Sequence, residues 1–180
     1  MSILKVNKII PTAGVPTGGG GGIIQVVQTL KTNVFSSANT SFTDISGMAV
    51  TITPTSNTSK ILISVTMNYG GQNNMYGGIN LLRGSTIVAI GDDQSNNNTE
   101  CTFGIGGDDN NFRYKLASSA YTFLDSPATT SATTYKLQVK AQSSSQRVTI
   151  NVPLEGGYET DTGTYVMRGT STITAMEVSA

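Results

Sequence analysis

Apolar and polar residues alternate in short runs along most of the chain, starting at Ile23. The alternation is clearest in KILISVTMNY, where every second residue from Ile61 to Met67 is apolar and would lie on one face of a strand. Turn-forming residues interrupt such runs roughly every 8 to 12 residues, and no convincing helical period occurs. We therefore predict an all-β chain, an antiparallel, jelly-roll-like β-sandwich of about ten short strands.

Glycine and turn residues set boundaries within this pattern. Gly47 is expected to separate two short strands. Arg83-Gly84-Ser85 is expected to join two strands as a β-hairpin. The segment FRYKLA, residues 112–117, is expected to be a strand that follows a loop.

Residues 1–22 differ from the rest of the chain, and we predict that they form an extended N-terminal arm attached to a β domain at residues 23–180. Pro11 and Pro16 disfavour a helix, and residues 18–22 are all glycine, which lets the backbone turn tightly or pass close to another chain at the joint. Apolar residues of the arm are the predicted attachment site on a partner: Ile3, Leu4, Val6, Ile9 and Ile10.

The chain contains no apolar run near the roughly 20 residues that a membrane-spanning helix needs. The first residues also lack the continuous apolar core of a secretory signal, because Lys5, Asn7 and Lys8 interrupt them. We therefore expect a protein that is made in a cytoplasm and does not insert into a membrane.

Charge and composition exclude several function classes. Lys and Arg number 11 and so do Asp and Glu, so the balanced charge disfavours a nucleic-acid binder. The absence of histidine removes the usual base of a serine hydrolase triad. Cys101 is the one cysteine, which excludes an intrachain disulfide and a Cys-based zinc site, and we expect a small buried apolar residue there. We predict neither an enzyme nor a cofactor.

Tyrosine, asparagine and aspartate residues in predicted loops are candidates for contact with a receptor. Tyrosine rings stack on sugar rings, and neighbouring polar side chains hydrogen-bond to the hydroxyl groups. The alternatives are strand-end packing for the tyrosines and solvated turns for the acids. The pairs Asp92-Asp93 and Asp108-Asp109 could also offer oxygen ligands to a calcium ion, although neither pair has the spacing of an EF-hand. The candidates are Asn73, Asn74, Tyr76, Asp92, Asp93, Asn96, Asp108, Asp109, Tyr158 and Tyr165.

Three passages carry a resemblance to a known family: SFTDISGMAVTITPTSNTSKILISVTM at 41–67, FLDSPATTSATTYKLQVKAQ at 123–142, and the final TSTITAMEVSA. RGSTIVAIGD at 83–92 adds to it. Together they resemble a widespread family of bacteriophage virion proteins, frequent in marine phages and cyanophages and commonly labelled tail fibre or structural protein. FLDSPATTSATTYK is the most specific of these motifs.

The resemblance implies a virion component, and such fibre modules are often homotrimers. The arm would attach a short tail fibre or fibre tip to other virion proteins, and the distal loops would contact a host surface glycan. A capsid decoration or cement protein (a head fibre) is the alternative, which the lack of a shaft between arm and domain keeps open. A free carbohydrate-binding module is a further alternative, and a polysaccharide-degrading enzyme is the weakest rival.

Overall fold

A computed structural model describes residues 22–92, 98–108, 110–154 and 167–179. These residues form eleven strands and one short 3₁₀ turn, Phe112–Tyr114. In chain order, the strands are β1 (Ile23–Lys31), β2 (Phe35–Ser37), β3 (Thr43–Ile52), β4 (Lys60–Gly71), β5 (Met75–Arg83), β6 (Thr86–Ala89), β7 (Phe103–Gly107), β8 (Ala117–Asp125), β9 (Thr133–Ala141), β10 (Val148–Ile150) and β11 (Ser171–Val178). No helix in these ranges is long and apolar enough to cross a membrane.

The strands form two antiparallel sheets that pack as a sandwich. The longer strands of the first sheet lie in the order β1-β11-β4-β8. The short strand β10 pairs with the last residues of β4, on the side of β4 opposite β8, and β2 pairs with β10. The second sheet has the order β3-β9-β5-β7, with β6 beside the far end of β5. This alternation of strands between two sheets is the jelly-roll connectivity. The predicted fold class is therefore confirmed.

The core lies between the sheets and follows the predicted period of two. In β4, the inward residues from Ile61 to Met67 are buried, and in β9 the inward residues Tyr135, Leu137 and Val139 face them. Successive side chains of a strand point to opposite faces, so the other half of each strand forms the outer faces of the sandwich.

Two boundaries differ from the prediction, while the hairpin at Gly84 (φ 61°) is confirmed. Gly47 does not divide two strands, because its φ of 81° absorbs a β-bulge within the single strand β3. The prediction of a strand over residues 112–117 is wrong, because Phe112–Tyr114 form a 3₁₀ turn and the strand β8 begins only at Ala117. Phe112 packs against the backbone of Gly107, where a Cβ would lie 2.2 Å from the ring, and this contact favours a 3₁₀ turn that plugs one end of the core.

A buried carboxylate connects the two sheets at one end. Asp125, at the end of β8 in the first sheet, accepts hydrogen bonds from Arg83 Nη1 (2.8 and 2.9 Å) and from the Tyr135 hydroxyl (2.6 Å) in the second. Burial, and then the adjacent carboxylate, raise the pKa of Tyr135 far above its usual value. The phenol therefore stays a hydrogen-bond donor, and the carboxylate is both paired and hydrogen-bonded.

Asn151 connects three segments of the first sheet. Its backbone is left-handed (φ 68°), and its side chain is fully buried. Its N–H donates to the Asn68 carbonyl (2.9 Å), and its side-chain amide donates to the carbonyls of Lys31 (2.9 Å) and Asn33 (3.1 Å). Its side-chain oxygen accepts from the Ser171 hydroxyl (2.6 Å). Truncation of the Asn151 side chain to alanine would remove all of these side-chain hydrogen bonds.

We expect Asn151→Ala to lower the free energy of unfolding by about 3 kcal/mol or more, because it leaves buried groups without partners. Asn74→Ala is the matched control, since Asn74 also has a positive φ (54°) but lies exposed in a turn. Its loss should be about 1 kcal/mol, the cost of the left-handed backbone alone. Urea unfolding measures the loss of unfolding free energy in each variant. Equal losses in the two variants would contradict the role given to the Asn151 amide.

Glu177 is a second buried polar residue that holds several segments together through hydrogen bonds, and it lies close to the edge strand β1. Its carboxylate accepts hydrogen bonds from the Thr55 N–H (2.7 Å) and hydroxyl (2.8 Å) and from the Gln25 amide. Burial alone would raise the pKa of Glu177, but the bonds from Gln25, Ser59 and Thr55 outweigh it and lower the pKa to about 2. The folded state therefore favours the ionised carboxylate.

Because the pKa of Glu177 is lower in the folded than in the unfolded chain, its contribution to stability is present above about pH 4.5 and is lost as the pH falls towards 2. We expect Glu177→Gln to cost about 1–3 kcal/mol at pH 7. The variant should also lose less stability than the wild type between pH 5 and 2.5. Asp44→Asn, at an exposed carboxylate, is the control and should change both quantities little. Parallel pH profiles of wild type and Glu177→Gln would contradict the assignment.

Candidate functional site

Many of the predicted contact residues lie outside the described residues. The attachment residues of the arm and half of the loop candidates belong to this group: Ile3, Leu4, Val6, Ile9, Ile10, Asp93, Asn96, Asp109, Tyr158 and Tyr165. Their roles stay predictions.

The structure places the described loop candidates in different settings. The Asn73 side chain takes part in the fold, because its oxygen accepts a hydrogen bond from the Arg113 N–H (3.1 Å). Asn74 forms the exposed turn before β5, and Asp108 is exposed after β7. Asp92 follows Gly91, whose N–H donates to the Cys101 carbonyl (3.1 Å). Within the described residues, no three side chains of the metal-binding types converge.

Tyr76 lies at a pocket on the outer face of the second sheet. The pocket has a volume of about 240 Å³. Tyr76 is 45% exposed and stands beside the backbone of Gly106, which holds its ring at the rim. The lining comes from β5, the end of β9 and the segment before β7: Tyr76, Gly77, Gly78, Thr99, Cys101, Lys140, Ala141 and Gln142.

The two glycines of β5 belong to the lining of this pocket. A Cβ on Gly78 would point outward and lie 3.1 Å from the Cβ of Cys101 and 3.4 Å from the ring of Phe42. A Cβ on Gly77 would lie 2.8 Å from the Lys140 carbonyl on the neighbouring strand. Gly77 therefore permits the close strand pairing, and Gly78 lets Cys101 and Phe42 pack closely against the strand.

The polar groups of the pocket are available to a ligand. The Lys140 ammonium donates to the Thr99 hydroxyl (2.7 Å) and has no carboxylate partner among the described residues. The Gln142 N–H, just after β9, donates to the Tyr76 carbonyl (3.0 Å), which holds this backbone beside Tyr76, and the Gln142 side chain is exposed. By contrast, Lys136 on the same face of β9 pairs with Asp44 at 2.7 Å.

A second notable surface covers the outside of the first sheet. The register places three rows of four side chains on this face, and none of the twelve residues is charged. We call this the uncharged face. Its rows are Val26-Met176-Leu62-Leu124, Gln28-Thr174-Ser64-Thr122 and Leu30-Thr172-Thr66-Ala120.

The first of these rows is entirely apolar and crosses four strands. Val26 is 58% exposed and Leu124 is 47% exposed at its two ends. With strands about 4.8 Å apart, the row extends over roughly 14 Å. Isolated exposed apolar residues are ordinary, but a continuous row in an uncharged surface is typical of a contact with another protein.

The two edge strands next to the uncharged face differ. β1 is shielded, because it has a bulge near Ile23 and because its side chains Gln25 and Thr29 donate to the carbonyls of Thr53, directly after β3, and of Ala49 in β3 (both 2.7 Å). Within the described chain, β8 pairs only with β4, in a register without a bulge. β8 also lacks the lysines and prolines that block edge pairing in other proteins. The uncharged face thus continues into an open edge.

Sequence reasoning singled out Tyr76 as a loop candidate, whereas the structure places it in strand β5, and it did not identify Thr99, Lys140 and Gln142 as its neighbours. The signal for Lys140 was its place on the outward face of β9, and Gln142 directly follows that strand, but their position beside β5 required the sheet order. The uncharged face was also missed. Its signal is the run of uncharged outward positions in β1, β8 and β11 and, after Lys60, in β4. No family model and no curated protein matches the chain.

Proposed function

We propose that the chain is a non-enzymatic structural subunit of a bacteriophage particle, a trimeric short tail fibre or fibre tip. The observation that supports self-assembly best is the uncharged face with its apolar row and open edge. The sequence resemblance to phage virion proteins supports the location in the particle. In this proposal the domain contacts neighbouring copies through the first sheet and leaves the second sheet towards the host.

The composition of the uncharged face fits contact between identical chains. Buried interface cores are depleted in charged residues, and the face offers aliphatic and hydroxyl groups instead. Leu62 and Leu124 lie side by side on β4 and β8, so their burial against a second copy would remove apolar surface from water. A ring in which β8 lies at the contact between copies would also cover the free edge of this strand.

The arm provides the attachment to the particle in this proposal. Residues 1–22 combine apolar positions with prolines that favour extended backbone. An extended arm can add as a strand to the sheet edge of another virion protein.

A head-decorating or cement protein is the alternative within the same class, and it would use the uncharged face to bridge capsid subunits. Binding to empty capsids would favour this role, and binding of the isolated domain to a glycan would favour the fibre tip. A free carbohydrate-binding module is supported by the pocket at Tyr76. It predicts a monomer that binds sugar without the arm.

We expect the full chain to have a native mass of three times 18.8 kDa by light scattering. Leu124→Glu and Val26→Glu should each give monomers, because assembly would bury an unpaired carboxylate at a cost of several kcal/mol. Ile90→Glu is the control, since Ile90 is 50% exposed but lies outside the uncharged face. It should remain a trimer.

Unfolding midpoints of the variants establish that each monomer is folded. A chain without residues 1–22 should remain a trimer and lose attachment to particles. A monomeric wild type at about 100 µM, a concentration well above the micromolar constants of weak specific complexes, would overturn the assembly proposal. A trimer that tolerates both glutamates would show that another surface makes the contact.

A further inference from the structure

We infer that the pocket between Tyr76 and Lys140 binds a saccharide ring that bears a carboxylate, such as a uronic acid unit of a polysaccharide. The inference rests on the host-contact role proposed above and names the ligand class for it. It depends on three groups that the sheet brings together: an exposed aromatic ring, an ammonium group and an uncommitted amide.

The shape of the pocket fits a single ring. Its volume of about 240 Å³ lies just below the roughly 300–1,000 Å³ of pockets for drug-sized ligands. Gly77 and Gly78 form part of the lining next to the Tyr76 side chain, and Cys101 packs against Gly78. The flat apolar face of a sugar can lie against the tyrosine ring, and the hydroxyl groups at its edge can reach polar groups on the wall.

The polar groups of the wall suit a ligand with one negative charge. The Lys140 ammonium has three donor hydrogens, and the hydroxyl of Thr99 occupies one of them. A carboxylate that accepts a further hydrogen forms a charge-assisted bond, which is stronger than a bond between neutral groups. The exposed Gln142 amide adds a donor and an acceptor for the ring hydroxyls.

Lys140 differs in this respect from the other lysine on the outer face of β9. Lys136 already pairs with Asp44, so its charge is balanced within the protein. The pocket and the uncharged face also lie on opposite layers of the sandwich, since one belongs to the second sheet and the other to the first. Assembly through the first sheet therefore leaves the pocket open to solvent.

The test uses the full chain with trigalacturonate as the probe and maltotriose as the neutral comparison. Binding is measured by calorimetry at low ionic strength and by the alkylation rate of Cys101 with iodoacetamide. Cys101 is the single cysteine and lines the pocket, so a ligand in the pocket should slow its alkylation. We expect trigalacturonate to bind about tenfold more tightly than maltotriose and to protect Cys101.

Variants separate the contributions of ring and charge. Lys140→Gln should weaken trigalacturonate about tenfold and leave maltotriose unchanged, whereas Lys140→Arg should keep most of the affinity. Tyr76→Ala should weaken both saccharides. Lys136→Gln and Tyr114→Ala are the matched controls outside the pocket, and they should change neither affinity.

Acetate at the same ionic strength should not protect Cys101, because it lacks the ring. Equal affinity for both saccharides, or an affinity for trigalacturonate that does not depend on Lys140, would overturn the inference. Absence of protection by either saccharide at about 10 mM, a concentration that detects even millimolar binding, would also overturn it. The native mass of the same samples is recorded, so a failure of assembly with retained binding is distinguishable from a failure of the pocket.

Discussion

A polar group that enters the interface between two packed sheets destabilises the fold unless it has a partner, and Asp125 meets this constraint at the point where the layers are joined. It lies at the end of β8 and receives hydrogen bonds from Arg83 and Tyr135 across the sandwich. A buried carboxylate without such partners would cost several kcal/mol. The paired group instead fixes the relative position of the two sheets, and the rest of the core is free to be aliphatic. Asn151 and Glu177 satisfy the same requirement within the first sheet.

The alternation of residues was enough to predict the fold class, because one face of each long strand is buried and the other is not. The pattern in β4 and β9 is clear for this reason. It failed at Phe112, where a tertiary contact with Gly107 overrides the local preference for a strand. It also failed at Gly47, since a glycine with positive φ permits a bulge as readily as it ends a strand. Local patterns contain no information about which contact will be made.

The candidate sites were harder to predict than the fold, because they depend on pairing between distant segments. Tyr76 and Lys140 are far apart in the chain and meet only because β5 pairs with β9. The uncharged face is likewise a property of four strands in register and of no single segment. In both cases the residue types were visible in the sequence, while their neighbours were not.

The placement of pocket and uncharged face on opposite layers has a consequence for binding strength. A shallow pocket for one ring offers few contacts, so each copy alone would hold its ligand weakly. Assembly through the opposite layer would present several such pockets on one rigid body towards a polymer with repeated units. The second and third contacts would then be intramolecular, and the combined avidity can exceed the single affinity by about 10²–10⁴ without any new contact. Weak individual sites would also release one at a time, which would let a particle move along a surface before it commits to it.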